Sequence, residues 1–212
     1  MNKNTQSALV WLLDDEPQLV ESLQWLLQTV SIETRVINEA ADLLNYPLDA
    51  QPGCLIMDVR MPQRSGLDLL EALKQQKVLL PIILMSGHAD VAMAVRAMKL
   101  GAEDFFEKPF NDQLLLDSLQ TAIAGHRQAL EKDQLLKGFK QNFAELTERE
   151  RQVMLLLIRG VQAKKTADKL NISPKTVDVH RHNLMQKMQV NSLAELVHVA
   201  LLLGLPLAFT PA

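Results

Sequence analysis

Unbroken apolar runs of strand length alternate with helix-period stretches along the first half of the chain. The run ALVWLL (8–13) ends on Asp14-Asp15-Glu16-Pro17, after which Leu19, Leu23, Leu26, Leu27 and Val30 recur at helical spacing. TRVI (34–37) predicts a second strand, and 40–45 a short helix. CLIMD (54–58) predicts a third strand, with Leu67, Leu70 and Leu73 marking the helix after it. PIILMS (81–86) predicts a fourth, followed by a helix carrying Val91, Val95 and Met98, and DFFEK (104–108) is a short fifth. Strands that are apolar at nearly every position are buried on both faces. The pattern therefore predicts an α/β domain built on a five-stranded parallel sheet with helices on both faces.

The second half reads differently. From Asn111 to Phe143 there is no proline, and the only glycines are Gly125 and Gly138, which predicts one or two helices. Leu116, Leu119, Ile123 and Leu130 hint at a seam that Asp133 breaks. Beyond it every signal is helical. Thr147 with Glu150 three residues on forms a capping box that opens a helix running to Arg159, and Gly160 stops it. A second helix is predicted over 163–170, closed by Asn171, and Ser173-Pro174 starts a third. Ser192 and Glu195 read as a second capping box. The helix they open carries Leu193, Leu196, Val197, Ala200 and Leu201, an apolar stripe wider than one small domain needs. The expected organisation is an α/β domain over 1–124, a helical linker over 125–143 and an all-α, four-helix domain over 144–212.

Charge sharpens this division. The net charge of −3 hides an acidic half and a basic one. Residues 1–125 hold 9 Lys and Arg against 17 Asp and Glu, whereas residues 126–212 hold 13 against 8. A basic all-helical half suits an anionic partner. The single cysteine, Cys54, lies inside an apolar run and reads as core, so nothing supports an oxidising compartment. The N-terminus has too few apolar residues before Asp14 for a leader or a membrane span, and the expected location is the cytoplasm.

In a parallel sheet covered on both faces, ligands bind at the carboxyl ends of the strands. Asp14 and Asp15 follow the first strand, Asp58 ends the third, Ser86 ends the fourth and Lys108 ends the fifth. Any one of these could be an ordinary turn residue, but five polar groups on one edge imply chemistry. Clustered carboxylates repel unless a hard cation joins them, and Mg²⁺ suits carboxylates together with a phosphate. A carboxylate in such a cluster can attack a phosphoryl group, and Lys108 is the cation available to balance the transferring charge.

The segments LLDDEP (12–17), MDVRMPQRSGLDLL (57–70) and the stretch 81–110 resemble the receiver domain of two-component response regulators, a flavodoxin-like fold. That resemblance implies that Asp58 is the phosphoacceptor. It makes Asp14, Asp15, Asp58 and the Arg60 backbone carbonyl the Mg²⁺ ligands, and Ser86 a partner of the phosphoryl oxygens. It also implies a cis peptide at Lys108-Pro109, and a switch in which Ser86 moves and Phe105 turns inward. Phe105 has no hydroxyl, so its inward state would rest on packing alone; the plainer reading is a core residue. Arg60 and His88 would flank the phosphate.

Residues 146–190 resemble the helix-turn-helix of the LuxR/FixJ/NarL group through LTERE, the helix at 164–170 and ISPKTVDVHRHNLMQKM. The resemblance implies that the third helix of this domain enters the major groove of double-stranded DNA. Val177, Leu184 and Met188 would face the core. Asp178, Val179 and His182 are placed near base edges, Lys164, Lys175 and Arg181 near phosphates, and Thr176 is a further DNA-binding residue. Thr166 replaces a usual apolar residue and is expected to loosen packing. The last helix resembles a dimer contact.

Together these point to a phosphorylation-controlled transcription factor, not an enzyme. It would be served by a sensor histidine kinase, form a homodimer when phosphorylated and have RNA polymerase as a further partner. A Mg²⁺-dependent phosphohydrolase using Asp58, or a stand-alone phosphate sink, stays open as an alternative. Neither explains the basic half.

Overall fold

The computed structural model describes residues 8–62 and 64–207. Residues 1–7, part of the N-terminal stretch expected to hold no leader, lie outside them. The chain divides into two compact units, Met1–Glu131 and Lys132–Ala212.

In the first unit, strands β1 (Leu9–Leu13), β2 (Glu33–Val36), β3 (Gly53–Asp58), β4 (Ile82–Ser86) and β5 (Asp104–Glu107) form one sheet in the order β2-β1-β3-β4-β5, every pair parallel. Successive side chains alternate between two cores, which explains the unbroken apolar runs. Trp11, Leu13, Leu55, Met57, Ile82 and Leu84 pack with a 3-10 turn at Ala40–Asn45 and helices α2 (Gly66–Gln75) and α3 (Val91–Lys99). Val10, Leu12, Cys54, Ile56, Ile83 and Met85 pack beneath α1 (Pro17–Thr29) and the first part of α4 (Asp112–Ala144). Cys54 is fully buried, and burial drives its thiol pKa far above the usual range, so it is an inert core residue.

Helix α3 forms where the sequence predicts it, with another stripe turned inward. Val91, Val95 and Met98, the residues that marked its period, are exposed, and Val91 keeps 81% of its surface. The inward stripe is Met93, Ala97 and Leu100, four and three residues apart. Both stripes are apolar, so periodicity alone does not say which one faces the sheet. In α1, Val20, Leu23 and Leu27 are buried, whereas Val30 falls beyond the helix and is exposed.

At the amino-terminal edge of the sheet, His126 ties α4 to the strands. Its Nδ1 accepts the Gly53 N–H at 3.0 Å, and its Nε2 lies 3.3 Å from Asp49 Oδ1. Asp49 also accepts the N–H groups of Leu79 and Leu80 at 3.0 and 2.9 Å. Burial works against its charge, but the His126 contact and these two N–H groups outweigh it and hold its pKa below the usual carboxylate value.

The segment 112–144 is one continuous helix of 33 residues. In the second unit, α5 (Glu148–Leu157), α6 (Ala163–Leu170), α7 (Pro174–Lys187) and α8 (Leu193–Leu202) share a core containing Val153, Met154, Val177, Leu184, Met188, Leu196 and Ala200. Helix α5 ends two residues before the expected Arg159. The Thr147 capping box forms in full: Thr147 Oγ1 accepts the Glu150 N–H, and the Glu150 carboxylate accepts the Thr147 N–H. The Ser192 box forms only in part. Ser192 Oγ accepts the Glu195 N–H, but the Glu195 carboxylate accepts from Asn191 N–H instead. Thr166 was expected to loosen packing, yet it is fully buried, and its hydroxyl donates to the Val161 carbonyl at 3.5 Å. The extra polar atom therefore has a partner. The apolar stripe on α8 divides: Leu196 and Ala200 face the core, while Leu193 and Leu201 stay exposed.

Candidate functional site

At the carboxyl edge of the sheet, β1, β3 and β5 each deliver a charged side chain to one point. Lys108 Nζ lies 2.8 Å from Asp58 Oδ1, 2.9 Å from Asp14 Oδ2 and 3.0 Å from Glu16 Oε1. The carboxylates of Asp14 and Asp58 keep only 5% and 6% of their surface, whereas that of Glu16 keeps 65%. Asp58 Oδ2 accepts the Arg60 N–H at 2.6 Å, and Asp14 Oδ1 accepts the Glu16 N–H at 2.9 Å. Each buried carboxylate is therefore held by a backbone turn on one oxygen and by the ammonium on the other.

The loop after β3 fits only because of Gly66. A Cβ there would come 2.3 Å from the Asp58 carbonyl oxygen, and the Gly66 N–H donates to the Val59 carbonyl at 2.9 Å. Ser65 caps α2 just before it, its Oγ accepting the Leu67 N–H. This close approach brings the start of α2 against the end of β3 and fixes the turn that carries Arg60 and Met61.

Burial raises the Asp14 pKa, with the Asp58 charge adding to it, and the bonds from Lys108 and the Glu16 N–H offset only part of that rise. Burial also opposes the Lys108 charge, but its bonds to Asp58, Asp14 and Glu16 win and push its pKa above the usual lysine value. The ammonium is therefore the resident counter-charge of two buried acids.

Ser86 is fully buried at the end of β4, and its Oγ accepts the N–H of exposed His88 at 3.3 Å. Its carbonyl accepts the Lys108 N–H at 2.8 Å, tying the ends of β4 and β5 together, and the Lys108-Pro109 peptide is cis. Phe105 is partly buried and packs against the core shared with α2 and α3. Asp15 stays exposed. It lines two shallow grooves, one with Asp14 and Glu39, the other with Arg60, Met61 and Ser65.

Of the expected metal ligands, Asp14 and Asp58 thus meet through Lys108, and Asp15 stands apart on the rim. Among the described residues no three acidic, histidine or cysteine side chains stand ready as a metal site. The donor set is nevertheless all hard oxygen, which suits Mg²⁺, and the buried acids hold a cation already. Sequence reasoning missed Glu16; its signal was an acid directly after Asp14-Asp15 and before the helix-starting Pro17.

In the second unit, α6 packs against α7, and the buried side of α7 carries Val177, Leu184 and Met188, as expected. Its opposite side exposes Lys175, Asp178, Val179, Arg181 and His182, and Lys164 is exposed on α6. Val179 keeps 52% of its surface. Thr176 is half-buried and engaged by its own cap: its N–H donates to Ser173 Oγ, and the two hydroxyls are 2.8 Å apart. Buried Glu150 joins α5 to α7 through a 2.7 Å contact with Lys187 Nζ, a positioning pair that sequence reasoning did not single out.

Comparison with known proteins follows the same two-part division. Residues 10–120 match the response regulator receiver domain family, and residues 144–200 match the luxR family of bacterial regulatory proteins. The chain is 40% identical over 194 residues to the response regulator protein TodT of Pseudomonas putida, covering 92% of this chain and 86% of that protein. It is 39% identical over 201 residues to the transcriptional regulatory protein FixJ of Bradyrhizobium diazoefficiens, covering 95% and 98%. Among solved structures, the response regulator StyR superposes with a TM-score of 0.78 at 42% identity, covering 92% of this chain and 98% of StyR. Full-length FixJ from B. japonicum gives 0.56 at 40% identity, covering 94% and 98%. No helix among the described residues is long and apolar enough to cross a membrane. A receiver domain implies a sensor kinase partner, and the second domain implies DNA binding. The chain belongs to the two-component response regulators that join a receiver to a LuxR-type helix-turn-helix, a family of transcription regulators and not of enzymes.

Proposed function

We propose that a sensor histidine kinase in the cytoplasm transfers a phosphoryl group to Asp58. The phosphorylated chain then dimerises and binds a two-half-site operator to activate transcription, working with RNA polymerase. The receiver spans 1–124, the connector 125–143 and the DNA-binding domain 144–212. The contact that carries the reading is that of Lys108 Nζ with Asp58 Oδ1 at 2.8 Å. A carboxylate buried at a strand end, with a cation already against it, suits a nucleophile that must become an acyl phosphate.

In phosphoryl transfer an Asp58 oxygen forms the new bond to phosphorus and the kinase histidine nitrogen leaves. Lys108 moves onto the transferred group's oxygens, and the Ser86 hydroxyl donates to one of them. Asp14, Asp15, Asp58 and the Arg60 carbonyl would hold Mg²⁺, which supplies positive charge between the acids and the phosphoryl oxygens. Ser86 and Phe105 carry the change to the face of α3 and β5, where Val91, Val95 and Met98 already lie exposed. A partner surface of that kind suits a dimer contact.

On α7, Asp178, Val179 and His182 read base edges, while Lys164, Lys175 and Arg181 meet phosphates and Thr176 holds the start of the helix. Selection from a library of genomic fragments, with and without acetyl phosphate and Mg²⁺, tests this in wild type and Asp58→Asn. Phosphodonor-dependent enrichment of particular fragments by wild type alone is expected. Equal enrichment with and without donor overturns the switch, and the absence of any duplex enrichment overturns the DNA reading.

A further inference from the structure

Lys108 has three N–H donors and three carboxylate partners, and the third is unlike the others. Asp14 and Asp58 are buried and are the two lysine partners that a metal would also take. Glu16 is the outer partner. Its carboxylate keeps 65% of its surface, and its backbone N–H is fixed on Asp14 Oδ1 at 2.9 Å. One residue thus grips both Asp14 and the lysine that Asp14 shares with Asp58.

We propose that Glu16 is a positioning residue that receives Lys108 when Mg²⁺ takes Asp14 and Asp58. The two buried acids cannot hold the ammonium and a divalent ion on the same oxygens. Releasing Lys108 with no partner would leave a cation beside an arriving cation. Glu16, already 3.0 Å from Nζ, lets the ammonium withdraw by one partner at a time instead of leaving the site. The exchange is thereby made easier, and Lys108 stays within reach of the phosphoryl oxygens it must meet later.

This inference rests on the reading of the pocket as a Mg²⁺ site. Titration of MgCl₂ into the full-length protein, followed by calorimetry, separates the two. Wild type must bind Mg²⁺; failure to do so overturns the pocket reading itself. Given binding, Glu16→Gln is expected to weaken Mg²⁺ affinity about fivefold, the scale of one partly exposed ion pair. Loss of any nearby negative charge could weaken it too, so two comparisons carry the test. Glu39→Gln removes an exposed charge from the groove lined by Asp14 and Asp15 without touching Lys108, and it is expected to change affinity less than about twofold. In a Lys108→Ala background, Glu16→Gln is expected to have almost no effect, because the group through which it acts is gone. An equal effect in both backgrounds would show that Glu16 acts as a distant charge, and no effect in either would make it a bystander. Both outcomes overturn the proposal. Circular dichroism of each variant shows whether an altered affinity comes from a damaged fold.

Discussion

Lys108 Nζ reaches Asp58 Oδ1 at 2.8 Å although the strands that deliver them are not neighbours: β4, ending on buried Ser86, runs between β3 and β5. The lysine therefore spans the end of a strand to neutralise two acids, and their burial depends on it. In Mg²⁺-free buffer, Lys108→Ala leaves Asp14 and Asp58 facing each other with no cation, which costs about 2 kcal/mol after allowance for solvent at the rim. Its thermal midpoint should fall and then recover as MgCl₂ is added, because a ligand that binds only the folded state stabilises it. A midpoint indifferent to Mg²⁺ would remove the metal from the pocket. Since the Lys108 pKa is raised, its contribution to stability is complete below its ordinary value of 10.5 and is lost only as pH climbs through the raised value. The neutral range leaves it intact.

Gly66 is the second constraint on Asp58. A Cβ 2.3 Å from the Asp58 carbonyl oxygen meets backbone, which cannot swing aside as a side chain can. Gly66→Ala should cost about 3 kcal/mol in urea unfolding of the receiver, the scale of a forced backbone shift. It should also slow phosphorylation of Asp58 by acetyl phosphate, read by intact mass. Wild-type stability in this variant would mean that the start of α2 can retreat from β3.

The fold was legible in the sequence where one pattern had one structural solution. Central strands apolar at nearly every position, alternating with helical periods, require a parallel sheet covered on both sides, and Thr147 with Glu150 requires a helix start. Legibility failed where two solutions share a pattern. Helix α3 has apolar residues on both faces, and only the packed sheet selects Met93 and Ala97 over Val91 and Met98. Distance hid other features. His126 meets Gly53 across 73 residues, and nothing local in either segment announces the other. In the site, strand ends brought Asp14, Asp58 and Lys108 to one edge on paper, but the third lysine partner needed the β1–α1 turn, which aims the Glu16 side chain back over the strands.

Glu150 shows how the second domain fixes its reading helix. Its buried carboxylate accepts from Thr147 N–H and Oγ1 at 2.8 and 2.9 Å and from Lys187 Nζ at 2.7 Å, so one side chain starts α5 and holds the end of α7. Glu150→Gln should cost about 2 kcal/mol through the lost charge-assisted bonds. Burial pushes against the Glu150 charge, but the Lys187 and Thr147 bonds prevail and hold its pKa below the ordinary 4.5. A depressed carboxylate stabilises the fold above its unfolded value and ceases to as pH falls through the folded one. The domain should accordingly weaken below pH 4.5, and the variant should lack that part of the acid sensitivity. Chemical unfolding at a series of pH values measures both, and parallel profiles for wild type and variant would count against this role.

The exposed stripe of α3 supplies a test of assembly that leaves the phosphoacceptor untouched. Val91 and Met98 face solvent, so Val91→Asp with Met98→Lys should change the stability of the free chain by no more than about 0.5 kcal/mol. If this face pairs in the phosphorylated form, sedimentation should find wild type dimeric after treatment with acetyl phosphate and the variant monomeric. Phosphorylation itself should proceed at the wild-type rate. A variant that still dimerises would move the contact elsewhere.

On α7 the exposed residues divide by the kind of contact each can make. Lys175 and Arg181 carry full charges on long side chains and suit phosphates. Arg181→Ala and Lys175→Ala should therefore weaken binding to every sequence alike, and each should lower the slope of log affinity against log salt by roughly 1. Asp178 is repelled by phosphates, and its carboxylate gains only where it accepts from a cytosine amino group. Asp178→Asn should then raise affinity for unrelated DNA while costing about 1–3 kcal/mol of discrimination at a single base position. Val179 offers only an apolar contact, such as a thymine methyl, so Val179→Ala should relax preference at one position and leave the salt slope unchanged. Anisotropy titrations of the phosphorylated protein on a selected operator and its single-base variants, at several KCl concentrations, separate these outcomes. If Asp178→Asn shifts specific and non-specific affinity equally, Asp178 is a surface charge beside the groove and not a reader of bases.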